Sequence, residues 1–491
     1  MPSPAQISTL SSLACLLPLM LGCSAPAREA PPSVVVVCLD TLRRDRLGAY
    51  GNTSGLTPNL DRFASQAVVF EDSWAVANET LLSHATLFTS RYATETGPIF
   101  DDYALADEAP TLAEVMDVHG YQTGAAVAGG HLMAGFGLDR GFEWYEQGGS
   151  WASLYHTVPL ATGWLDTRDP QDPFLLFVHG YDTHHRYLKP GPFGSSRTKR
   201  DYLGPGMDAA RQKLGTVRVV DGWFLPPDTV RVHDLDALRI RGASERVRSV
   251  AHARNPAFGA TPLQPRDLEH ITQVYDGAVA YADAWFGLFM AELDQRGLLD
   301  ETIVVVLSDH GEELGEHGIF GHRYTLTDES LAVPLMVRLP GAAQAGRRVS
   351  GLVDLTDVMP TLLDAAGAQH PAGIQGRSLW PVLEGAEHQA REAVFAQTMF
   401  RAVSVRNDQG RLTFSGIGAD SPWLTEVMGT TRLEAPAFVA SEGLDKAAQI
   451  DLAAKLITWN YGLRQPKPGH PRAPTAEQKR LIREQGYWRP R

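Results

Sequence analysis

The chain has 491 residues, 44% of them hydrophobic and 21% charged, with a formal net charge of −13. That length supports a large core and a second, smaller packing unit, and the composition is globular, not disordered. The interspersed acidic surplus argues against nucleic acid as a partner, because a phosphate backbone selects a basic surface. A small anionic ester remains compatible, since one local pocket can be positive on an acidic protein.

In chain order, the first feature is the apolar run "LACLLPLMLGC" at 13–23, too short to span a bilayer comfortably. Small Gly22 and Cys23 follow it, and then the Ala/Pro/Ser tether "SAPAREAPPS". This stretch resembles a bacterial lipoprotein signal. The resemblance implies a signal peptide at 1–22, a tether at 23–32 and a lipid anchor on Cys23. Ser24 then favours the outer membrane of the cell envelope, facing the periplasm. Met20 stands where Leu is commoner, and no Lys or Arg precedes the run, which departs from such signals. An ordinary secretory peptide cut a few residues later is the alternative. No later apolar stretch is long enough for a transmembrane helix. With Cys15 in the signal and Cys23 lipidated, Cys38 is the remaining thiol, which supports neither a disulfide framework nor a Cys-rich metal site.

"SVVVVCLDTLRRD" at 33–45 is apolar up to Asp40, as a strand covered on both faces requires. In "LTPNLDRFASQAVVF", Thr57 as cap, Pro58 in first position and helically spaced apolar residues predict a helix. "TLAEVMDVHGYQTGAAVAG" reads as helix, Gly turn and strand. "DPFLLFVHGYDTHH" (172–185), "ETIVVVLSDHGEE" (301–313) and "VPLMVRLPG" read as further buried strands, and "DLEHITQVYDGAVAYADAWFGLFMAELDQRGLLD" as a long amphipathic helix. The alternation is α/β. Residues 186–260, rich in Arg, Gly and Pro, read as an insertion over the sheet edge. After about residue 385, short antiparallel strands turn at Asn407 to Gly410, and a Pro-rich link with a basic helix closes the chain.

Three predicted strands end in polar residues: Asp40, then Asp182 and His184, then Asp309 and His310. In open α/β sheets ligands bind beyond the carboxyl ends of the strands, so these groups are expected to converge. A carboxylate pair with an imidazole suits a borderline divalent ion such as zinc or manganese. In "SWAVANETLLSHATLFTSRY" (73–92), Thr80, Ser83 and His84 read either as a reactive turn entering a helix or as a polar helix cap.

The segments "VVCLDTLRRDRLGAYG", "TLLSHATLFTSRY", "FVHGYDTHHRY" and "SDHGEELGEHGIFGHRYTLTDESLAVPLMVRLPG" resemble the sulfatase branch of the alkaline phosphatase superfamily, in that family's order, over residues 33–385. The resemblance implies an α/β/α sandwich with a large mixed, mostly parallel sheet. A small antiparallel carboxyl-terminal subdomain and tail follows at 386–491. By resemblance, Asp40 and Asp309 match metal aspartates. His310 stands where calcium sulfatases have Asn, which points to one manganese or zinc ion in preference to calcium. Thr41 stands where many sulfatases carry a second aspartate. His184 and His322 match histidines that contact the transferred group; Asp182 reads as a ligand or a loop stabiliser, and His317 as a site residue or a loop anchor.

The opening motif departs from the family. Sulfatases carry Cys or Ser, any residue, Pro, Ser and Arg, and convert the first to formylglycine; here the run is Thr80-Leu81-Leu82-Ser83-His84. Threonine is a secondary alcohol, and its oxidation gives no aldehyde. The expectation is therefore a Thr80 alkoxide, itself a metal ligand, attacking phosphorus in a phosphate or phosphonate ester. Ser83 is expected to lend its amide to the anion, or to act as nucleophile in place of Thr80, and His84 to replace the arginine with a weaker positive charge. A sulfatase without formylglycine, a phosphoryl-headgroup transferase and a non-catalytic binding protein are the competing readings.

Overall fold

The computed structural model describes residues 31–97, 103–149, 151–184, 187, 219–220, 223–224, 265–316, 320–323, 326–399, 402–415, 437–442 and 444–463. The signal and most of the tether, nearly all of the 186–260 insertion, His317 and the tail after 463 lie outside these residues.

Eight strands form the main sheet: β1 (Ser33–Leu39), β2 (Val68–Trp74), β3 (Gln122–Val127), β4 (Trp144–Gln147), β5 (Phe174–Gly180), β6 (Thr302–Leu307), β7 (Leu335–Arg338) and β8 (Arg348–Asp354). Their spatial order is β8-β2-β7-β6-β1-β5-β3-β4. β7 runs antiparallel to both its neighbours, β6 and β2, while the other pairings are parallel. The sheet is therefore mixed and mostly parallel.

Consecutive valines of β1 serve opposite layers. Val34, Val36 and Cys38 pack on one face with Phe177, Val305 and Leu307. That face is covered by α2 (Thr80–Thr89), α3 (Leu112–Val118) and α6 (Val358–Ala366). Val35, Val37 and Leu39 face α1 (Pro58–Ser65), α4 (Leu154–Leu165) and α5 (Pro265–Gln295). Burial on both sides is why the strands read as continuous apolar runs. The result is an α/β/α sandwich.

Local signals act as the sequence suggests, with one exception. Thr111 and Glu114 form a capping box on α3, and Gly120, at φ +82°, turns the chain into β3. Thr57, however, does not cap α1; its hydroxyl donates to Asp61 and accepts from Gly48 N. Asp283 of α5 takes that task, receiving the amides of Leu60 at 2.8 Å and Asn59 at 3.1 Å. Tertiary packing supplies a carboxyl group where the local hydroxyl was expected.

A four-stranded antiparallel sheet follows, in the order β9 (Val394–Gln397), β10 (Ala402–Arg406), β11 (Arg411–Ser415) and β12 (Ala437–Glu442). The turn between β10 and β11 closes through Asn407 N donating to Gly410 O. α7 (Lys446–Gly462) packs Leu452 and Leu456 onto Val405 and Leu412. A bridge between Ala77 and Gln397 joins this sheet to the segment just before α2. Among the described residues, no helix is long and apolar enough to cross a membrane.

Candidate active site

The central strands end nearly flush. Val37 is paired with Val178 on one side and Val306 on the other, so Asp40, Asp182 and Asp309 leave the sheet at one edge. Asp40 and Asp309 are fully buried. Asp40 N donates to Gly180 O at 3.0 Å, and Asp309 Oδ1 accepts from Thr41 N at 3.2 Å and His310 N at 2.9 Å. Thr41 makes this turn at φ 60°, a strained setting for a β-branched residue. Its carbonyl accepts from Tyr275 of α5 at 2.6 Å, which holds the strained turn in place.

Thr80 is the first residue of α2 and is buried at the strand ends. Its hydroxyl donates to Asp40 Oδ2 at 3.1 Å and lies 3.4 Å from His310 Nε2. His310 Nδ1 donates to the Gly311 carbonyl at 3.0 Å, so its Nε2 lone pair faces Thr80. Asp40, Asp309 and His310 each offer one ligand atom within 4.8 Å of the others.

Two expectations for α2 are corrected by this geometry. The Ser83 amide donates to Glu79 O at 3.0 Å inside the helix, and its hydroxyl donates to Asp309 O at 2.7 Å. Ser83 therefore braces α2 against the loop of Asp309, with its amide and hydroxyl hydrogens both donated to carbonyls and neither left for an anion. His84 lies one turn deeper, fully buried, with Nδ1 donating to Thr80 O at 2.8 Å and Nε2 3.5 Å from Cys38 Sγ. Burial pushes its pKa down to about 4, so it is neutral near pH 7 and does not replace the arginine charge.

His184 and His322 sit above the pair of aspartates. Their rings are 5.0 Å apart, and His322 is 4.5 Å from the ring of His310. His322 Nδ1 is 3.2 Å from Glu312 Oε1, a buried carboxylate that orients the imidazole. His184 is flanked by Trp151 at 4.9 Å and Tyr181 at 5.1 Å. Asp182 accepts Leu154 N at 2.8 Å and so anchors the start of α4, a loop role. Arg43 does not reach the site; it grips Asp45 and Glu316, and donates to the Glu312 carbonyl.

The donor set fits a cation. Asp40 Oδ1 and Asp309 Oδ2 are buried with no hydrogen-bond partner, a costly state for carboxylate oxygens unless positive charge compensates. Burial raises the Asp40 pKa to about 6, and burial together with Asp40 raises that of Asp309. Two oxygens of adjoining carboxylates, one imidazole nitrogen and one hydroxyl match the ligand types of zinc or manganese.

Comparison with known proteins supplies the family. A model described as Sulfatase matches residues 32–368. The chain belongs to the sulfatase family. It is 27% identical over 423 residues to the N-acetylglucosamine-6-O-sulfatase of Bacteroides thetaiotaomicron, covering 75% of each chain. To the multifunctional alkaline phosphatase superfamily protein PehA of Trinickia caryophylli it is 33% identical over 263 residues, 52% of this chain and 46% of the other. The phosphonate monoester hydrolase of Agrobacterium radiobacter shares its fold with a TM-score of 0.64, at 21% identity over 88% of this chain and 96% of the other. A protein solved with its substrate D-glucosamine-2-N,6-O-disulfate superposes with a TM-score of 0.62, at 21% identity over 90% of this chain and 99% of the other. This sulfatase-family chain is thus a hydrolase of the alkaline phosphatase superfamily.

Three residues at the site carried no clear signal in the sequence. His179 of β5 lies 3.4 Å from Asp40 Oδ2, Thr183 donates to the Asp40 carbonyl, and Glu312 orients His322. His179 and Glu312 are polar residues inside or beside buried strands. That is the one local mark that distinguishes them.

Proposed function

We propose that the protein hydrolyses phosphate or phosphonate esters through Thr80. One divalent ion, of the manganese or zinc class, would be held by Asp40, Asp309, His310 and the Thr80 hydroxyl. The observation that carries the reading is Thr80 Oγ1, at a helix start and within reach of both Asp40 Oδ2 and His310 Nε2. When bound, the cation supplies a lowered hydroxyl pKa and charge neutralisation at the transferred group. Thr80 Oγ forms the bond to phosphorus as the bond to the leaving oxygen breaks. Asp40 Oδ2 already accepts the hydroxyl hydrogen bond and is the nearest acceptor for its proton. His184 hydrogen-bonds the anion, and His322, oriented by Glu312, protonates the leaving oxygen. In the second half, His322 takes a proton from water as that water attacks the threonine ester, and Thr80 Oγ leaves, taking back the proton that Asp40 had accepted.

Sulfate-ester hydrolysis is the second reading, supported by the likeness to the N-acetylglucosamine-6-O-sulfatase. Against it stands Thr80 where the family makes its aldehyde. The substrate is an anionic ester, small or carried on a lipid or glycan. Attachment through a lipid on Cys23, at the outer membrane facing the periplasm, is proposed from residues 13–24; loss of lipid labelling in Cys23→Ala tests it.

The full chain, metal-loaded, is compared on nitrophenyl phosphate, bis-nitrophenyl phosphate, a phenylphosphonate ester and nitrophenyl sulfate, alongside Thr80→Ala. Turnover of phosphorus esters that disappears in Thr80→Ala supports the reading. Sulfate turnover that persists in Thr80→Ala refutes it and moves the attack to another group.

A further inference from the structure

We propose that Cys38, His84 and His179 form a second, buried metal position, taking a divalent cation of the zinc class, beneath the first. The three side chains are fully buried, and one ligand atom from each lies within 4.8 Å of the others. They come from separate elements that the sheet brings together. Cys38 and His179 are register partners on β1 and β5, and His84 descends onto them from α2.

The hydrogen bonding of both imidazoles has the pattern of ligating histidines, in which the ring nitrogen that does not bind metal donates to a carbonyl or a carboxylate. His84 Nδ1 donates to Thr80 O at 2.8 Å, leaving the Nε2 lone pair 3.5 Å from Cys38 Sγ. His179 Nε2 is 3.4 Å from Asp40 Oδ2, and its Nδ1 is buried without a hydrogen-bond partner. With zinc–sulfur bonds of about 2.3 Å and zinc–nitrogen bonds of about 2.0 Å, a tetrahedral site puts S and N about 3.5 Å apart. The observed Cys38–His84 separation meets that requirement before any ion is added.

A simple S–H···N bond between Cys38 and His84 has the same length, but it leaves His179 Nδ1 orphaned in the core. That orphan costs about 1–3 kcal/mol. One cation satisfies all three side chains at once, and its binding releases the Cys38 thiol proton to solvent. The position would tie Asp40 through His179 and the start of α2 through His84, and so brace the site above it. It does not depend on which ester is cleaved.

The test uses the full chain carrying Cys15→Ser and Cys23→Ser, so that Cys38 is the one thiol, stripped with chelator and loaded with cobalt or zinc. The expected result is two equivalents of zinc per chain and a near-ultraviolet thiolate-to-cobalt charge-transfer band. Cys38→Ala and His179→Gln should each fall to one equivalent, with the band lost in Cys38→Ala. His310→Ala should also fall to one equivalent but keep the band. One equivalent without the band in the parent chain overturns the second position and leaves the first standing. One equivalent with the band, unchanged by His310→Ala, keeps the second position and overturns the first. Absence of any bound metal overturns both.

Discussion

Gly311 follows His310, and a β-carbon built on it would stand 2.0 Å from the Glu329 carbonyl oxygen and 3.3 Å from Ser330 Cα. These are backbone atoms, so Gly311→Ala must push the loop aside by about 1 Å to restore ordinary contact distances. The same loop is stitched by Gly311 N to Ser330 O at 2.8 Å and by Glu312 N to Glu329 O at 3.1 Å. Two hydrogen bonds at about 0.5–1.5 kcal/mol each, plus about 1–3 kcal/mol of overpacking, give a destabilisation of about 2–6 kcal/mol. His310 Nδ1 rests on the Gly311 carbonyl, so its ring turns with the loop, and a shift of about 1 Å at reacting groups costs about 100-fold in turnover. Urea unfolding and kcat/KM on the preferred ester measure the two effects. Gly163→Ala is the control. Gly163 lies in α4 with nothing within 4 Å of its built β-carbon, and the change should add up to about 1 kcal/mol. A Gly311→Ala protein with unchanged unfolding midpoint and turnover would refute the account of this loop.

Other expected outcomes follow from the same contacts. Saturating manganese, at about 100 times its Kd, should stabilise chelator-stripped protein by about 2.7 kcal/mol in thermal melts, an increment that Asp309→Ala should diminish. Asp283→Ala leaves the Asn59 and Leu60 amides of α1 without their acceptor and should cost about 2–4 kcal/mol in urea unfolding. Burial raises the Asp283 pKa to about 8, against the hydrogen bonds from Leu60 and Asn59. Its stabilising share is therefore whole below about pH 4 and is lost as pH rises through 8, by up to about 1.4 kcal/mol per pH unit. Asp283→Asn should flatten that slope. Glu312→Gln, which removes the carboxylate orienting His322, should slow hydrolysis of an alkyl phosphate about 100-fold. First-turnover release of nitrophenol, a leaving group that needs no proton, should hardly change, and an equal loss there would argue against the proton-donor role.

Much of this protein was legible in one dimension. The valine run of β1 announced a strand covered on both faces, and the polar residues closing three such runs announced side chains that would converge at one edge of the sheet. Thr80 was legible as a helix start because apolar residues resume after it. Asp40, Asp309 and His310 were legible because a carboxylate at the end of a buried strand has few other reasons to be there. The roles of residues on the far side of α2 were not. Ser83 and His84 look like partners of Thr80 along the chain, yet the 100° step of a helix turns His84 down toward Cys38 and His179. Its neutral state follows from burial, which the local sequence does not report.

The same division holds for the caps and the new cluster. Thr57 has the residue type of an N-cap, but Asp283 arrives from α5, 223 positions on from Leu60, and wins because the two oxygens of its carboxyl group accept several amides at once. Cys38, His84 and His179 carry no spacing motif, since their ligand atoms meet across two strands and a helix. Periodicity and residue chemistry determined the elements, the layering and the first carboxylate cluster, because those depend on which face of a segment leaves water. Only the tertiary structure decided which polar groups confront each other once inside, because burial, register and charge compensation are properties of contacts between distant segments.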